Sequence, residues 1–302
     1  MSQETDYAAG IAFTAGDYVP IADARISMLD WGFLRSDANQ DTVTVWNGAF
    51  FRLDDHLARF ARNIAKLRMT GPYTPEERRE IVVECVRRTG LREAYVQMIM
   101  TRGHPPVGSR DLRLAENRFH VFCIPYVWIA PPEKKCEGLH LHVSERVRVP
   151  PESVDPTLKH YHWLEFEMGL FEAYDIGADT VVLSDGRDNV TEGPGFNVFA
   201  VSGGALVTPE RGVLDGMTRR TVFELCDEIG VAYACEPVTA AALRRADEVF
   251  LTTSGGGLIP ITRIDDQTIG NGHPGILTMR IDELYWSKRE AGWLATPVDY
   301  PS

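Results

Sequence analysis

A chain of 302 residues, 44% hydrophobic and 25% charged, can bury a large core and is expected to form two soluble globular domains. A formal net charge of −12 argues against a nucleic-acid binder, which needs a basic face. Five cysteines, an odd number with no C-x-x-C, argue against a disulfide framework or a zinc ribbon and suit a reducing, cytoplasmic setting. The start MSQETDYAAG lacks the basic and apolar regions of a secretory signal, and the longest apolar run, near 121–130, is interrupted by Pro125 and too short to span a bilayer.

In chain order, residues 1–24 are weakly patterned and are expected to form an arm and a first strand. Residues 42–46 read as a strand, Asn47-Gly48 as a tight turn and 49–51 as the return strand. Asp54 is expected to cap a helix with Leu57, Phe60, Ile64 and Leu67 as its apolar stripe, leaving Arg59 off that stripe. Thr74-Pro75-Glu76-Glu77 is a capping box with proline at the first helical position, and Gly90 is the stop. Strands are expected at 94–101 and 119–127, separated by a polar loop, 102–117, that carries Arg102 and Arg110. The Pro/Lys-rich stretch 128–135 (WIAPPEKK) is the best interdomain linker, so that a small α/β domain occupies 1–127 and a larger one 136–302.

A strand at 139–144 places His140 and His142 on one face, but two histidines without a third ligand do not make a metal site, and none is expected. Lys159 stands just before a helix whose apolar side is read as Leu164, Met168 and Phe171, ended by Gly177. Glu192 follows in a Gly/Pro-rich bend. A hairpin then spans 196–208 around Ser202-Gly203-Gly204. After Gly216 the pattern turns helical, with Val222, Leu225, Cys226 and Ile229 on one face and Gly230 as the stop. A Gly-led turn opening a helix offers N–H groups and a positive dipole end to a phosphate, and Thr218 adds a hydroxyl in the first turn. A strand at 249–251 runs into Thr252-Thr253-Ser254-Gly255-Gly256-Gly257, which is either a plain glycine-rich turn or a second phosphate cradle. The C-terminal helix, near 274–290, reads as structural.

The runs TEGPGFNVF around Glu192 and GVLDGMTR after it resemble those of the fold type IV pyridoxal phosphate (PLP) enzymes, most closely the (R)-selective amine transaminases. The similarity extends from about Ile26 (ISMLDWGFLRSD) to Ile261 (FLTTSGGGLIPI). It implies an α+β (α/β) fold of two domains, the second barrel-like, and PLP as cofactor. It also implies a homodimer, with no nucleic-acid or membrane partner. Lys159 then takes the place of the Schiff-base lysine and Glu192 that of the partner of the pyridine nitrogen. Arg59, Met217 through its backbone, Thr218, Thr253 and Ser254 anchor the phosphate, and Leu214 presses on the ring. Around the substrate the resemblance places Arg35, Gln40, Gln97, Arg110 and Trp163. Arg35, Gln40 and Gln97 depart from the usual amine-transaminase pattern of histidine, tyrosine and glutamate, which leaves fewer acids and more positive charge to meet a carboxylated substrate.

The implied activity is ping-pong transfer of an amino group from an (R)-amine or D-amino acid to a keto acid such as pyruvate. Alternatives are a D-amino acid transaminase proper, a PLP lyase of the aminodeoxychorismate type, recognised by pyruvate release without an acceptor, and a non-catalytic PLP or phosphate-ligand binder, which has no need of Lys159.

Overall fold

A computed structural model describes residues 7–301. Residues 1–6 of the expected N-terminal arm lie outside the described residues. The chain forms two compact units: Met1–Val127 with Leu158–Tyr161 and Arg289–Ser302, and Trp128–Thr157 with His162–Lys288. The division is not a single cut, since Leu158–Tyr161 and the C-terminal segment count with the first unit.

The first unit holds β1 (Ile11–Thr14), β2 (Asp17–Pro20), α1 (Trp31–Arg35), β3 (Ala38–Trp46), β4 (Ala49–Phe51), α2 (Leu53–Lys66), α3 (Pro75–Thr89), β5 (Ala94–Thr101) and β6 (Arg118–Pro125). With the C-terminal strand Ala295–Pro297 these strands make one antiparallel sheet. Its order is C-terminal strand, β4, β3, β5, β6, β1, β2. Asn47 and Gly48 both take positive φ, as a two-residue turn between β3 and β4 requires. The capping box forms as read, with the Thr74 side chain accepting from the Glu77 N–H and Glu77 accepting from the Thr74 N–H. Because side chains alternate along a strand, Val43 and Val45 of β3 share a face with Asp41. On this face Val43, Val45, Val96, Met98 and Met100 pack with Phe60 and Ile64 of α2 and Ile81, Val82, Cys85 and Val86 of α3.

The second unit holds α4 (Pro132–Glu137), β7 (Leu139–Val147), α5 (Leu164–Asp175), β8 (Thr180–Ser184), β9 (Glu192–Gly193), β10 (Phe196–Ser202), β11 (Ala205–Thr208), α6 (Met217–Ile229), β12 (Tyr233–Cys235), α7 (Ala240–Arg244), β13 (Glu248–Thr253), β14 (Gly257–Ile264) and β15 (Gln267–Thr268). The last helix, α8 (Ile276–Glu290), follows. The sheet runs β12-β11-β10-β13-β14-β7-β8, with β9 on β10 and β15 on β14. The β11/β12, β14/β7 and β7/β8 joins are parallel. Its core is aliphatic, built around Leu141, Val182, Val198, Leu251, Ile259 and Ile261.

Four local expectations are corrected. Strand β3 begins at Ala38, four residues before the expected start, and its polar residues Asn39, Gln40, Asp41 and Thr42 are buried. Helix α2 is capped by Arg52 in the left-handed region, φ 57, with Asp54 inside the first turn. Arg59 is buried on that helix because a carboxylate waits for it on β3. Helix α5 buries Phe166, Gly169 and Ala173 and leaves Leu164 (74%), Met168 and Phe171 (61%) exposed. The small face wins because it lets the helix close on β8: a Cβ on Gly169 would lie 2.9 Å from Leu183 Cδ2.

The stretch 128–135 is structured, not a bare linker. It enters α4, and the buried Lys135 donates to Asp282 Oδ1 at 2.8 Å and to the Gly256 carbonyl at 3.1 Å.

Candidate active site

The first unit brings Lys159 to the edge of the polar half of β3. The Gln40 N–H donates to the Lys159 carbonyl at 2.8 Å, and His160 forms an isolated bridge with Asn39. These two backbone contacts hold the 158–161 segment to β3 and fix the root of the half-buried Lys159 side chain.

On the face of β3 that meets α2, Asp41 is fully buried. Its Oδ1 accepts from His56 Nδ1 at 2.7 Å and from Arg59 Nη2 at 2.8 Å, and its Oδ2 accepts from Arg59 Nε at 2.8 Å. Burial pushes the Asp41 carboxyl up, but the charges and hydrogen bonds of Arg59 and His56 outweigh it and hold the group well below the usual carboxylate range. Burial lowers the His56 pKa and outweighs the Asp41 charge and hydrogen bond that raise it, and the positive charges of Arg59 and Lys159 lower it further.

The opposite face of β3 carries a polar chain. Thr42 Oγ1 donates to Gln40 Oε1 at 3.3 Å and pairs with the Tyr95 hydroxyl at 3.3 Å. Tyr95 donates to Gln97 Oε1 at 3.2 Å, and Gln97 Nε2 donates to the Tyr161 hydroxyl at 2.6 Å. Burial pushes the Tyr161 phenol up, as it does that of Tyr95. Of the arginines expected near substrate, Arg110 is exposed, and so is Arg35, whose guanidinium lies 3.6 Å from the centre of the Trp31 ring. Arg102 is occupied by a bidentate pair with Asp37 and by the Leu67 and Arg68 carbonyls.

The second unit contains Glu192, Leu214, Met217, Thr218, Thr253, Ser254 and Trp163. Glu192 is 5% exposed, and its Oε2 accepts the Leu214 N–H at 2.7 Å. Longer contacts come from Asn197 Nδ2 at 3.5 Å and Arg148 Nη2 at 3.4 Å. Arg148 is itself buried, pairs closely with Glu165 and lies 4.3 Å from the centre of the Phe166 ring. Asn197 Nδ2 also donates to the Leu214 carbonyl at 3.0 Å, so one amide ties the bend at Leu214 to the acid.

Helix α6 opens at Gly216 with no side-chain cap, leaving its first N–H groups to be met from outside the helix. A side chain at Gly216 would have to push Asn197 aside, since a Cβ there would lie 2.1 Å from Asn197 Oδ1. Met217 and Thr218 are buried at that end. In the glycine-rich turn the Gly255 N–H donates to Thr253 Oγ1 at 3.2 Å, while Thr252 Oγ1 is buried without a partner. The turn is braced from behind: the Ile129 N–H donates to the Gly255 carbonyl at 2.9 Å, Lys135 holds Gly256, and the Leu258 N–H donates to Asp282 at 3.1 Å. Trp163 is half-buried, edge-on to Phe166.

His140 and His142 have local roles. His142 Nδ1 pairs with Asp265 at 2.7 Å and His140 Nε2 meets the Asp265 carbonyl at 2.8 Å. Sequence reasoning missed Asp41, His56, Arg148, Asn197 and the Lys135–Asp282 brace. The polar run 39–42 ahead of an apolar strand was the one signal for Asp41; for Arg148 no local pattern exists.

Residues 40–264 match the family model for amino-transferase class IV. A putative branched-chain-amino-acid aminotransferase of Methanocaldococcus jannaschii is 30% identical over 89% of this chain and 93% of that protein. A D-alanine aminotransferase of Bacillus licheniformis is 28% identical over 86% of this chain and 90% of its own length. The crystal structure of the branched-chain aminotransferase of Thermoproteus uzoniensis with norvaline superposes with a TM-score of 0.87 at 28% identity, covering 96% of this chain and 99% of that one.

Proposed function

The chain belongs to the class IV aminotransferases, and on that premise we propose that its donor is an (R)-amine or a D-amino acid and its acceptor a keto acid such as pyruvate. Pyridoxal 5'-phosphate is the cofactor of this family. The donor set of this chain fits that molecule. A buried carboxylate, Glu192, suits a pyridinium nitrogen, and an uncapped helix start kept open by Gly216 suits a phosphate. The buried Thr252 hydroxyl without a partner lies on β13, two residues before the turn proposed to take that phosphate.

When bound, the cofactor supplies an aldehyde carbon that takes the amino group and a ring that accepts electrons from the neighbouring carbon. In this reading Lys159 Nζ would hold the cofactor at that carbon and, as a free amine, would move a proton between donor and cofactor as general base and acid. Glu192 would hold a proton on the ring nitrogen, with Arg148 Nη2 3.4 Å from its Oε1. Arg59, the Met217 N–H, Thr218, Thr253 and Ser254 bind the phosphate, and Leu214 bears on the ring face. Gln40, Gln97, Trp163, Arg35 and Arg110 are the residues assigned to the donor in this reading.

The observation that carries the donor class is the chain Gln40–Thr42–Tyr95–Gln97–Tyr161. It starts at the residue whose backbone holds Lys159 and offers neutral amide and phenol groups, which accept a carboxylate or an uncharged substituent without placing an opposing acid beside it. The active form in this reading is a homodimer. Apolar side chains exposed on each unit support it, Met28 and Phe33 on the first and Leu164 and Phe171 on the second. Five free cysteines support a cytoplasmic setting.

A panel of paired enantiomers tests the donor class: (R)- and (S)-1-phenylethylamine with pyruvate, and D- and L-alanine and D- and L-leucine with 2-oxoglutarate. Faster turnover of the (R) and D members is expected. Preference for L-leucine would overturn the assignment.

A further inference from the structure

Asp41, His56 and Arg59 form a buried network in which Asp41 and His56 have no part in the chemistry above. Burying a lone guanidinium costs several kcal/mol, and a carboxylate with ideal geometry is what makes such a site tolerable. Asp41 meets Arg59 side-on, through Nε and Nη2 at 2.8 Å each. In a planar guanidinium this directs the edge that carries Nη1 away from Asp41. His56 supplies a third donor at 2.7 Å to the same carboxylate, which stops the carboxylate from rotating about its own bond. A buried, neutral His56 with its proton on Nδ1 gives this donor without adding a positive charge. The network spans two elements, β3 and α2, so the sheet and the helix together fix the plane of one side chain.

We propose that Asp41 and His56 are positioning residues that pre-orient Arg59 for the cofactor's phosphate ester. The inference rests on the reading of Arg59 as a phosphate ligand. An arginine already desolvated and locked in plane loses little side-chain freedom when the anion arrives, so affinity for the phosphate is gained through the network without any contact between Asp41 or His56 and the ligand.

Comparing pyridoxal 5'-phosphate with pyridoxal, which lacks the phosphate, isolates this effect. Both are titrated into the apoprotein by absorbance. The readout is the dissociation constant of pyridoxal divided by that of the phosphate ester, with circular dichroism melts as the check on folding. Asp41→Asn is expected to weaken binding of the phosphate ester about tenfold while pyridoxal binding stays within about twofold, which lowers the ratio. His56→Ala is expected to shift the ratio in the same direction, and His56→Asn, which keeps an N–H donor towards Asp41, to restore it. If Arg59→Gln leaves the ratio at its wild-type value, the phosphate-ligand reading fails. If Arg59→Gln lowers the ratio but Asp41→Asn and His56→Ala do not, the positioning inference is overturned. Should Asp41→Asn not fold, the His56→Ala and His56→Asn pair decides: recovery in the second supports the inference, and a wild-type ratio in the first refutes it.

Discussion

Two buried carboxylates, one in each unit, are held in different ways. Asp41 is met on both oxygens by the charged fork of Arg59 and on one by His56, all within 2.8 Å. Glu192 accepts a short bond from the Leu214 backbone N–H, and its longer contacts include Asn197 and Arg148 at 3.5 and 3.4 Å. The first arrangement suits an acid whose task is to hold another side chain. The second ties the acid to the main chain of the bend at Leu214. Burial alone does not separate the two arrangements, since both groups are at most 5% exposed; the donors do.

The comparison is broken or sharpened by substitution. Lys159→Ala is expected to have the largest effect, a loss of about 10⁴-fold or more in kcat, because both the covalent hold and the proton transfer go with it. Stopped-flow or steady-state assays of a good donor check this. Glu192→Gln is expected to lower kcat about 10²-fold with the cofactor still bound, a loss confined to the chemical step, read from kcat and cofactor content together.

Asp41→Ala is expected to act on the fold, costing about 3–5 kcal/mol because Arg59 is left buried without its partner, measured by urea denaturation. Gly216→Ala is expected to cost about 1–3 kcal/mol by forcing Asn197 aside and to weaken cofactor binding with it.

The pH dependence has a definite sign. Asp41 has a folded pKa below its unfolded value of about 4, so its contribution is present above about pH 4 and is lost as pH falls below that value. The gap in Tm between wild type and Asp41→Asn is therefore expected to be level from pH 7 to about 5 and to narrow towards pH 3. The smallest effect is expected of the exposed Arg35. Arg35→His should leave cofactor affinity unchanged and lower the ratio of activity on D-alanine to that on (R)-1-phenylethylamine by a few-fold; an unchanged ratio removes Arg35 from carboxylate selection.

Elements with local signatures were legible in the sequence. The Thr74 capping box, the Asn47-Gly48 turn, the 94–101 strand and the hairpin around Ser202-Gly203-Gly204 all follow from residues that prefer one backbone conformation. What was not legible depends on partners far away in sequence. Arg59 looks like a solvated helix residue until Asp41, 18 positions earlier, is placed against it. Helix α5 presents an apolar side chain on most turns, so periodicity alone favoured Leu164, Met168 and Phe171, whereas close packing on β8 selected Gly169 and Ala173. The polar start of β3 hid a strand because alternation fails where both faces are buried. In the candidate site, Lys159 and Glu192 stood out through the family's motifs, and their supporting residues did not.

Reduction of the cofactor-loaded protein with borohydride, followed by peptide mass spectrometry, tests the central claim directly. The account predicts that the pyridoxyl phosphate mass is carried by the peptide containing Lys159, and that Lys159→Ala carries it nowhere. Attachment to another of the chain's lysines, with Lys159 unmodified, would contradict it.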